Sequence, residues 1–317
     1  MPTVSVIIPT CNRANYLKNA IESVIAQTFQ DWELVVVDDG STDDTAEFMK
    51  AYRQKGDKIR YVRQNCNQGV SAARNRAIRE SSGKYVAFLD DDDQWFPYKL
   101  ELQVSFMETH PDYGMCYSQL KIISPSANGS QKEVLFPPIV AGNFLELLHD
   151  CHILPSTAMV RRSCVKGDWF NPKMRLSEDQ DLWLRLAQRT KIEPLEKVLA
   201  TTIIDGRVHA AHDYIAVRKN TISLLKKLEL VSEYRSYWWL KERHIARIRY
   251  ELGRDYLDLK QYWMAAKYFA FALMTDPLVG LMVRRPGEQG FKIALRLAKS
   301  YAAVPLCLLK GIFYANR

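Results

Sequence analysis

The sequence of 317 residues predicts an α/β fold, in which a mostly parallel sheet is flanked by helices and followed by an α-helical C-terminal extension. Three observations support this class. Short β-branched runs alternate with segments of helical periodicity up to about residue 110. These runs are continuously apolar, which is typical of parallel strands buried on both faces. From about Asp213 onwards the pattern is almost entirely helical.

The N-terminal elements alternate regularly along the chain. The predicted strands are Val4–Pro9, Glu33–Val37, Ile59–Val62 and Tyr85–Leu89. The predicted helices are Tyr16–Thr28, Thr45–Tyr52, Gly69–Glu80 and Pro97–Glu108. Strands and helices in this order form βαβ units, whose strands lie parallel in one sheet.

The second half of the chain is less regular. Further predicted elements are strands at Tyr113–Ile123 and Ser156–Val160, a loop-rich stretch at Ser124–Pro138 and a helix at Glu178–Arg189. Tyr250–Pro277 fits a single helical hairpin of the tetratricopeptide type. We therefore predict an α/β domain over residues 1–215, with halves 1–110 and 111–215, and a helical region over residues 216–317.

The positive charge is concentrated at the C-terminal end. The net charge is +8, and residues 281–317 hold seven Lys or Arg against one acid, Glu288, which gives 7 − 1 = +6 there. The remainder is close to neutral, so a nucleic-acid partner is not expected. Within Phe291–Phe313, Lys292, Arg296 and Lys299 share one helix face. Such a basic stripe on an apolar segment predicts a helix lying on a membrane surface. Plain packing on the rest of the protein and a membrane-spanning helix are the alternatives.

Cysteine usage and the N-terminus indicate a cytoplasmic setting. The six cysteines are scattered and form no CxxC pair, so neither a disulfide framework nor a zinc site is expected. The stretch MPTVSVIIPT enters a strand at once and has no basic region typical of a signal peptide. We expect a cytoplasmic protein, peripheral on the inner face of a membrane.

Polar residues follow three of the predicted strands. They are Pro9-Thr10-Cys11-Asn12-Arg13, Asp38-Asp39-Gly40-Ser41 and the run from Asp90 to Asp93. Ligands bind beyond the carboxyl ends of parallel strands, where these residues converge. There is neither a GxGxxG after the first strand nor a P-loop. An acidic rim binds phosphate only with a divalent cation, and carboxylates suit Mg²⁺ or Mn²⁺.

Four sequence blocks carry a family resemblance. They are VSVIIPTCNRANYLKNAIESVIAQTFQDWELVVVDDGSTDDT, NQGVSAARNRAI, YVAFLDDDDQWFPYKLE and MRLSEDQDLWLRLA, and they span about residues 3–190. In this order they resemble a family-2 glycosyltransferase of the inverting, GT-A type. The resemblance implies a nucleotide-binding half and an acceptor half in a catalytic domain.

The resemblance also implies roles for individual residues on the donor side. Asp39 would accept a hydrogen bond from the base, typically uracil. The other residues implied around the nucleotide are Pro9, Thr10, Arg13, Gly69, Ala72 and Arg74.

The aspartate run would hold the DXD motif of the family. Asp90 and Asp92 would be its two acids, with Asp92 bound directly to Mn²⁺ or Mg²⁺. Asp91 would face the ribose or sugar, and Asp93 would only cap the next segment. His209 is a further candidate metal ligand. The family often has a small polar residue where Asp91 stands, so a register shifted by one residue stays open.

The SEDQDLW block would supply the general base, Asp179, with Glu178 beside it at the start of a helix. The chemistry asks for one carboxylate that takes the proton of an acceptor hydroxyl. An N-terminal helix cap is the structural alternative for this pair. Trp183, on the same predicted helix, is expected to pack in the core.

These residues together predict a metal-dependent inverting glycosyltransferase of the hexosyltransferase type. The expected donor is a nucleotide-sugar, with UDP as the expected nucleotide. The expected acceptor is a hydroxyl of a glycan or lipid-linked molecule in cell envelope polysaccharide biosynthesis. The alternative is a non-catalytic adaptor that binds a sugar nucleotide and presents its helical C-terminal region. A nucleotidyltransferase would need a Gly-rich loop after the first strand, and PTCNRAN is not one.

Overall fold

The computed structural model describes residues 1–53, 57–125, 131–136, 142–149, 151, 153–203, 214–277 and 302–308. The chain divides into two compact units. The first comprises Met1–Leu147 and Cys151–Val208, and the second comprises Leu148–Asp150 and His209–Arg317.

The first unit is built on one mixed sheet. Its strands are β1 (Val4–Thr10), β2 (Trp32–Asp38), β3 (Ile59–Arg63), β4 (Tyr85–Phe88), β5 (Asp93–Trp95), β6 (Tyr113–Pro125), β7 (Gln131–Phe136), β8 (Ala158–Arg161) and β9 (Lys191–Ile203). Within the described residues the order is β3-β2-β1-β4-β8-β6-β9-β5, and β7 pairs with β6. The first four strands are mutually parallel, whereas β8 runs antiparallel to β4 and β6.

Helices cover this sheet. They are α1 (Ala14–Ile25), α2 (Thr45–Arg53), α3 (Val70–Arg79), α4 (Lys99–Thr109), α5 (Phe144–His149) and α6 (Glu178–Ala187). The α/β class is therefore confirmed, and the predicted elements of the first 110 residues are present with ends shifted by a few residues. The whole sheet is more mixed than predicted, because the antiparallel pairs lie in its second half.

Three strands were not predicted from the sequence, namely β5, β7 and β9. Residues 131–136, inside the stretch predicted to be loop-rich, form β7. The three-residue β5 pairs antiparallel with β9, so that Asp93 lies opposite Thr202. A strand this short has no hydrophobic pattern, and its existence depends on a partner more than 100 residues away. Asp93 therefore begins a strand and is not merely a cap.

The parallel centre of the sheet is buried on both faces. All seven residues of β1 are buried, and their side chains alternate between the two faces. On one face Val6 and Ile8 pack with residues of α1 and α4 in the main hydrophobic cluster. On the other face Phe88 packs edge-on against Trp183, whose ring is fully buried and whose Nε1 donates to the Ile153 carbonyl at 3.0 Å. The predicted core position of Trp183 is confirmed.

The second unit is helical in its described residues. It contains α7 (Tyr214–Lys227), α8 (Trp238–Asp258) and α9 (Tyr262–Thr275), and residues 302–308 are also helical. The predicted hairpin is confirmed, since α8 and α9 pack closely at Gly253, where a Cβ would lie 2.7 Å from the Phe269 ring. In the part of the chain that the structure describes, no helix is long and apolar enough to cross a membrane. Most of Phe291–Phe313 lies outside the described residues.

Candidate active site

The loops after β1 and β2 are tied together at the carboxyl edge of the sheet. Asn12 adopts the left-handed conformation, with φ of 55°. Its side-chain oxygen accepts the backbone N–H of Thr42 at 2.7 Å, and its own N–H donates to Ser41 Oγ at 2.9 Å. Asparagine tolerates this backbone conformation better than most residues. Asn12 therefore joins the first two polar loops.

The two aspartates at the end of β2 have different surroundings. Asp38 is fully buried and accepts from the Ser41 N–H at 2.7 Å and the Tyr61 hydroxyl at 2.5 Å, which holds the strand end together. Asp39 accepts from Gln64 Nε2 at 2.6 Å and from the backbone N–H groups of Gln68 and Gly69, both at 2.7 Å. Asp39 thus holds the loop before α3 over the strand end.

Gly69 occupies a conformation that favours glycine. Its φ is 93°, and it directly precedes the first residue of α3. Three donors occupy Asp39, while a carboxylate has about four acceptor positions. The N–H groups of Gln68 and Gly69 thus fix Asp39 beside the start of α3.

The middle of the aspartate run is bound by Arg13. Nη1 of Arg13 lies 3.0 Å from Asp91 Oδ1, and Nη2 lies 3.0 Å from Asp92 Oδ2. The second oxygen of Asp91 accepts from the Thr10 hydroxyl at 2.7 Å. Burial is the largest influence on Asp91 and raises its pKa to about 7, although Arg13 and Thr10 act in the opposite direction.

A second arginine joins the aspartate run to the acid pair of α6. Arg74, on α3, directs Nη2 to Asp90 Oδ1 and Nη1 to Glu178 Oε1, both at 2.7 Å. The Arg74 side chain is 4% exposed and lies over the Phe170 ring, 5.3 Å from its centroid. Its Nε has no hydrogen-bond partner among the residues that the structure describes. The guanidinium therefore sets the spacing between Asp90 and Glu178.

Asp93, the last acid of the run, is buried inside the protein. Its carboxyl is buried and bonds to Ser156 and Thr202. Burial, with Asp90 and Asp92 nearby, raises the pKa of Asp93 well above its ordinary value. The sequence predicts a divalent cation at this acidic rim. In the structure Arg13 and Arg74 pair with the other three aspartates, and the raised pKa favours a neutral Asp93.

Asp179 follows Glu178 in the first turn of α6 and is partly exposed. Its Oδ1 accepts the Gln180 N–H at 2.8 Å, and no other donor among the described residues contacts the carboxyl. Burial and the neighbouring Glu178 raise its pKa to about 7, while Arg74 acts in the opposite direction. A carboxyl group that titrates near neutrality is suited to general base catalysis.

The backbone before α6 is anchored on α3. Ser71 Oγ donates to the Met174 carbonyl at 2.8 Å, and Asn75 exchanges two hydrogen bonds with the backbone of Phe170 at 2.6 and 3.0 Å. Ser177, directly before Glu178, has a φ of 61°. Serine rarely adopts this left-handed conformation. Such strained backbone commonly occurs at functional sites, and here it directly precedes the acid pair.

The residues at the rim fit a divalent cation held together with phosphates. Asp92 offers carboxylate oxygens near the surface, which is the ligand type that Mg²⁺ and Mn²⁺ prefer. No group of three or more His, Cys, Asp or Glu side chains among the described residues could hold a metal ion. Substrate phosphates commonly complete magnesium sites that have only one or two carboxylates.

The remaining predicted residues have simpler surroundings. Pro9 is buried in β1 opposite Val37, and Ala72 is partly buried on α3. His209 lies outside the described residues. The structure thus brings Thr10, Arg13 and the aspartate run together, and Arg74 connects that run to Glu178.

Ser156 was missed as a site residue. Its Oγ accepts the Asp90 N–H at 3.0 Å, its side chain also bonds to Asp93, and its carbonyl accepts Trp95 Nε1 at 2.8 Å. It comes from a 3-10 turn, Pro155–Thr157, just before β8. The only sequence signal was its place at the start of a predicted strand.

Trp95 is buried with its N–H satisfied, as expected of a packing residue.

Comparison with known proteins identifies the family. The model of "Glycosyl transferase family 2" matches residues 5–168. The chain belongs to this family. The resemblance to family-2 glycosyltransferases seen in the sequence is therefore confirmed.

Individual relatives agree with this assignment. An Escherichia coli protein named UDP-Glc:alpha-D-GlcNAc-diphosphoundecaprenol beta-1,3-glucosyltransferase WfaP is 32% identical over 215 residues, which cover 66% of this chain and 79% of that protein. The first curated relatives are longer proteins, and the chain spans only 34%, 29% and 34% of their lengths.

Solved structures share the fold. Staphylococcus aureus TarS 1-349 in complex with UDP-GlcNAc has a TM-score of 0.62 and 19% identity, covering 98% of this chain and 92% of TarS. A mannosyltransferase from Pyrobaculum calidifontis, PcManGT, in complex with GDP-Man and Mn²⁺, has a TM-score of 0.59 and 15% identity, covering 96% and 87%. At these identities the likeness concerns the fold, which is of the predicted GT-A type.

Proposed function

We propose that this protein transfers a sugar from a nucleotide-sugar to a hydroxyl group of a glycan or lipid-linked acceptor, with inversion at the anomeric carbon. One observation carries the proposal. A buried arginine joins the aspartate run, at the carboxyl edge of the sheet, to an acid pair that includes a carboxyl group titrating near neutrality.

Asp179 acts as the general base in this proposal. Its carboxylate takes the proton of the acceptor hydroxyl while that oxygen forms a bond to the anomeric carbon. The bond from the anomeric carbon to the diphosphate oxygen breaks, and its electron pair stays on the departing diphosphate. Because attack and departure occur on opposite faces, the anomeric configuration inverts.

The donor is held by residues that follow β2 and begin α3. In this proposal Asp39 accepts an N–H of the base, and Gly69, whose own N–H donates to Asp39, and Ala72 on α3 line the nucleotide. A divalent cation, Mn²⁺ or Mg²⁺, when bound at Asp92 and Asp90, would neutralise the diphosphate. The complexes of TarS with UDP-GlcNAc and of PcManGT with Mn²⁺ support a nucleotide-sugar donor and a metal, and UDP is our choice of nucleotide.

Turnover with purified protein tests the proposal. A panel of UDP- and GDP-sugars is offered with Mn²⁺ to wild type and to Asp179→Asn, and thermal stabilisation by each donor is measured in parallel. We expect one donor to stabilise both proteins and only wild type to transfer or hydrolyse it. Stabilisation by a nucleotide without turnover under any condition would instead favour the adaptor hypothesis.

We further propose that the acceptor is presented at a membrane surface, as the name of the E. coli relative suggests for that protein. The outer face of α9 supports this idea. Its side chains Trp263 and Met274 are 54% and 79% exposed, and α9 contains no acidic residue. The exposed Phe271 ring lies 5.8 Å from the guanidinium of Arg249 and 5.9 Å from Lys267 Nζ. Exposed aromatic and basic side chains together are typical of surfaces at lipid headgroups.

Vesicle sedimentation tests the membrane proposal. We expect the full chain to bind vesicles containing an anionic lipid and to lose most binding when residues 290–317 are deleted. The double variant Trp263→Ser/Met274→Ser should weaken binding, whereas Tyr98→Ser, an exposed aromatic in the first unit, should not. A full-length protein that stays in the supernatant at low salt would refute it.

A further inference from the structure

The Arg13 guanidinium is paired with Asp92, the carboxylate that a divalent cation would need. Its two Nη atoms reach Asp91 and Asp92 separately, at 3.0 Å each, so one planar fork spans two neighbouring carboxylates. In the proposed function Asp92 is the direct metal ligand. A cation bound there would meet the positive charge of Arg13 at close range.

Arg13 is able to leave this position, because its side chain is 33% exposed and comes from a loop residue directly before α1. In its paired position the guanidinium also lies over the Tyr16 ring, with its carbon 5.1 Å from the ring centroid. Arg74 differs in this respect. Its side chain is only 4% exposed and lies buried between Asp90 and Glu178.

Asp91 stays in place when Arg13 moves. The Thr10 hydroxyl holds Asp91 Oδ2 at 2.7 Å, and Asp91 is itself buried. Movement of Arg13 would uncover the carboxylate of Asp92, which is the more exposed of its two partners, at 17% against 5% for Asp91.

We propose that Arg13 and the divalent cation compete for Asp92, and that a nucleotide diphosphate relieves the competition by drawing Arg13 to its phosphate oxygens. Arginine binds phosphate in the same bidentate manner as carboxylate, so the exchange preserves its hydrogen bonds. The nucleotide then strengthens metal binding, and by reciprocity the metal strengthens nucleotide binding by the same factor. This inference rests on the proposed metal site at Asp92.

Calorimetric titration of Mn²⁺ into the full chain, with and without saturating UDP, tests the coupling. For wild type we expect UDP to tighten Mn²⁺ binding by about tenfold, a typical coupling between sites. Arg13→Gln should bind Mn²⁺ more tightly than wild type in the absence of UDP, and UDP should then add little. Arg13→Lys, which reaches only one carboxylate at a time, should fall between them and serves as the readout if Arg13→Gln does not fold.

The outcomes separate this inference from the proposed function. If wild type binds Mn²⁺ in the presence of UDP, but neither Arg13 variant binds it more tightly without UDP, the competition is refuted and the metal site stands. If neither wild type nor the variants bind Mn²⁺ with UDP present, the metal site itself is wrong and the inference falls with it. Asp92→Asn should bind Mn²⁺ weakly in every condition, which locates the site.

Discussion

Replacement of Arg74 by glutamine tests the link between the aspartate run and α6. The variant leaves Glu178, which is 10% exposed, without its counter-ion. Breaking a buried pair in this way costs about 3 kcal/mol in free energy of unfolding. Asp90 is more exposed, so the loss of its pair adds up to about 1 kcal/mol. We expect Arg74→Gln to be destabilised by roughly 3–4 kcal/mol at pH 7, where both acids are ionised in the unfolded chain.

Urea unfolding followed by far-UV circular dichroism measures this loss. Arg79→Gln is the matched control, because Arg79 lies on the same helix and its pair with Asp168 is exposed, with an N–O distance of 3.7 Å. That control should change stability by less than about 0.5 kcal/mol. Arg74→Lys, which keeps the charge but not the fork, should lose about half as much as Arg74→Gln. If Arg74→Gln were no less stable than Arg79→Gln, the guanidinium would not hold the site together.

Four further substitutions test individual carboxyl groups. Asp179→Asn should lower turnover by about 10²–10⁴-fold. Because the pKa of Asp179 is raised in the folded protein, its ionisation opposes folding as the pH rises from about 4 to 7. The melting temperature of Asp179→Asn relative to wild type should therefore be higher at pH 8 than at pH 4, and an equal difference at both values would contradict the assignment. Asp92→Ala should abolish metal-dependent turnover in a donor assay. Asp93→Asn should retain the fold and much of the activity, because burial already disfavours the charged form of Asp93 and raises its pKa. Equal losses would show that the metal site is shifted by one residue. Asp39→Asn places an amide against backbone N–H groups and should cost about 2 kcal/mol of stability and weaken UDP binding, as measured by denaturation and calorimetry.

The position of the four aspartates after β4 could be predicted from the sequence, but the partner of each aspartate could not. The sequence places four acids after an apolar strand, and the strand end is where the structure has them. The different environments of the four acids, however, are created by residues that are distant in the chain. Arg13 follows β1, Arg74 lies on α3, and Thr202 lies on β9, more than 100 residues along the chain. No local pattern in the run indicates which acid is paired and which is buried.

The sequence alone determined the alternation of buried strands and helices, because a strand buried on both faces must be continuously apolar and a helix must repeat about every 3.6 residues. It also placed the polar strand ends on one edge, since parallel strands share their direction. Only the tertiary structure decided the short strand at Asp93, the role of Ser156 and the pairing of Glu178 with Asp90 through Arg74. These features are contacts between segments that lie far apart in the chain. Nothing in the local sequence around each residue indicates which partner it will contact.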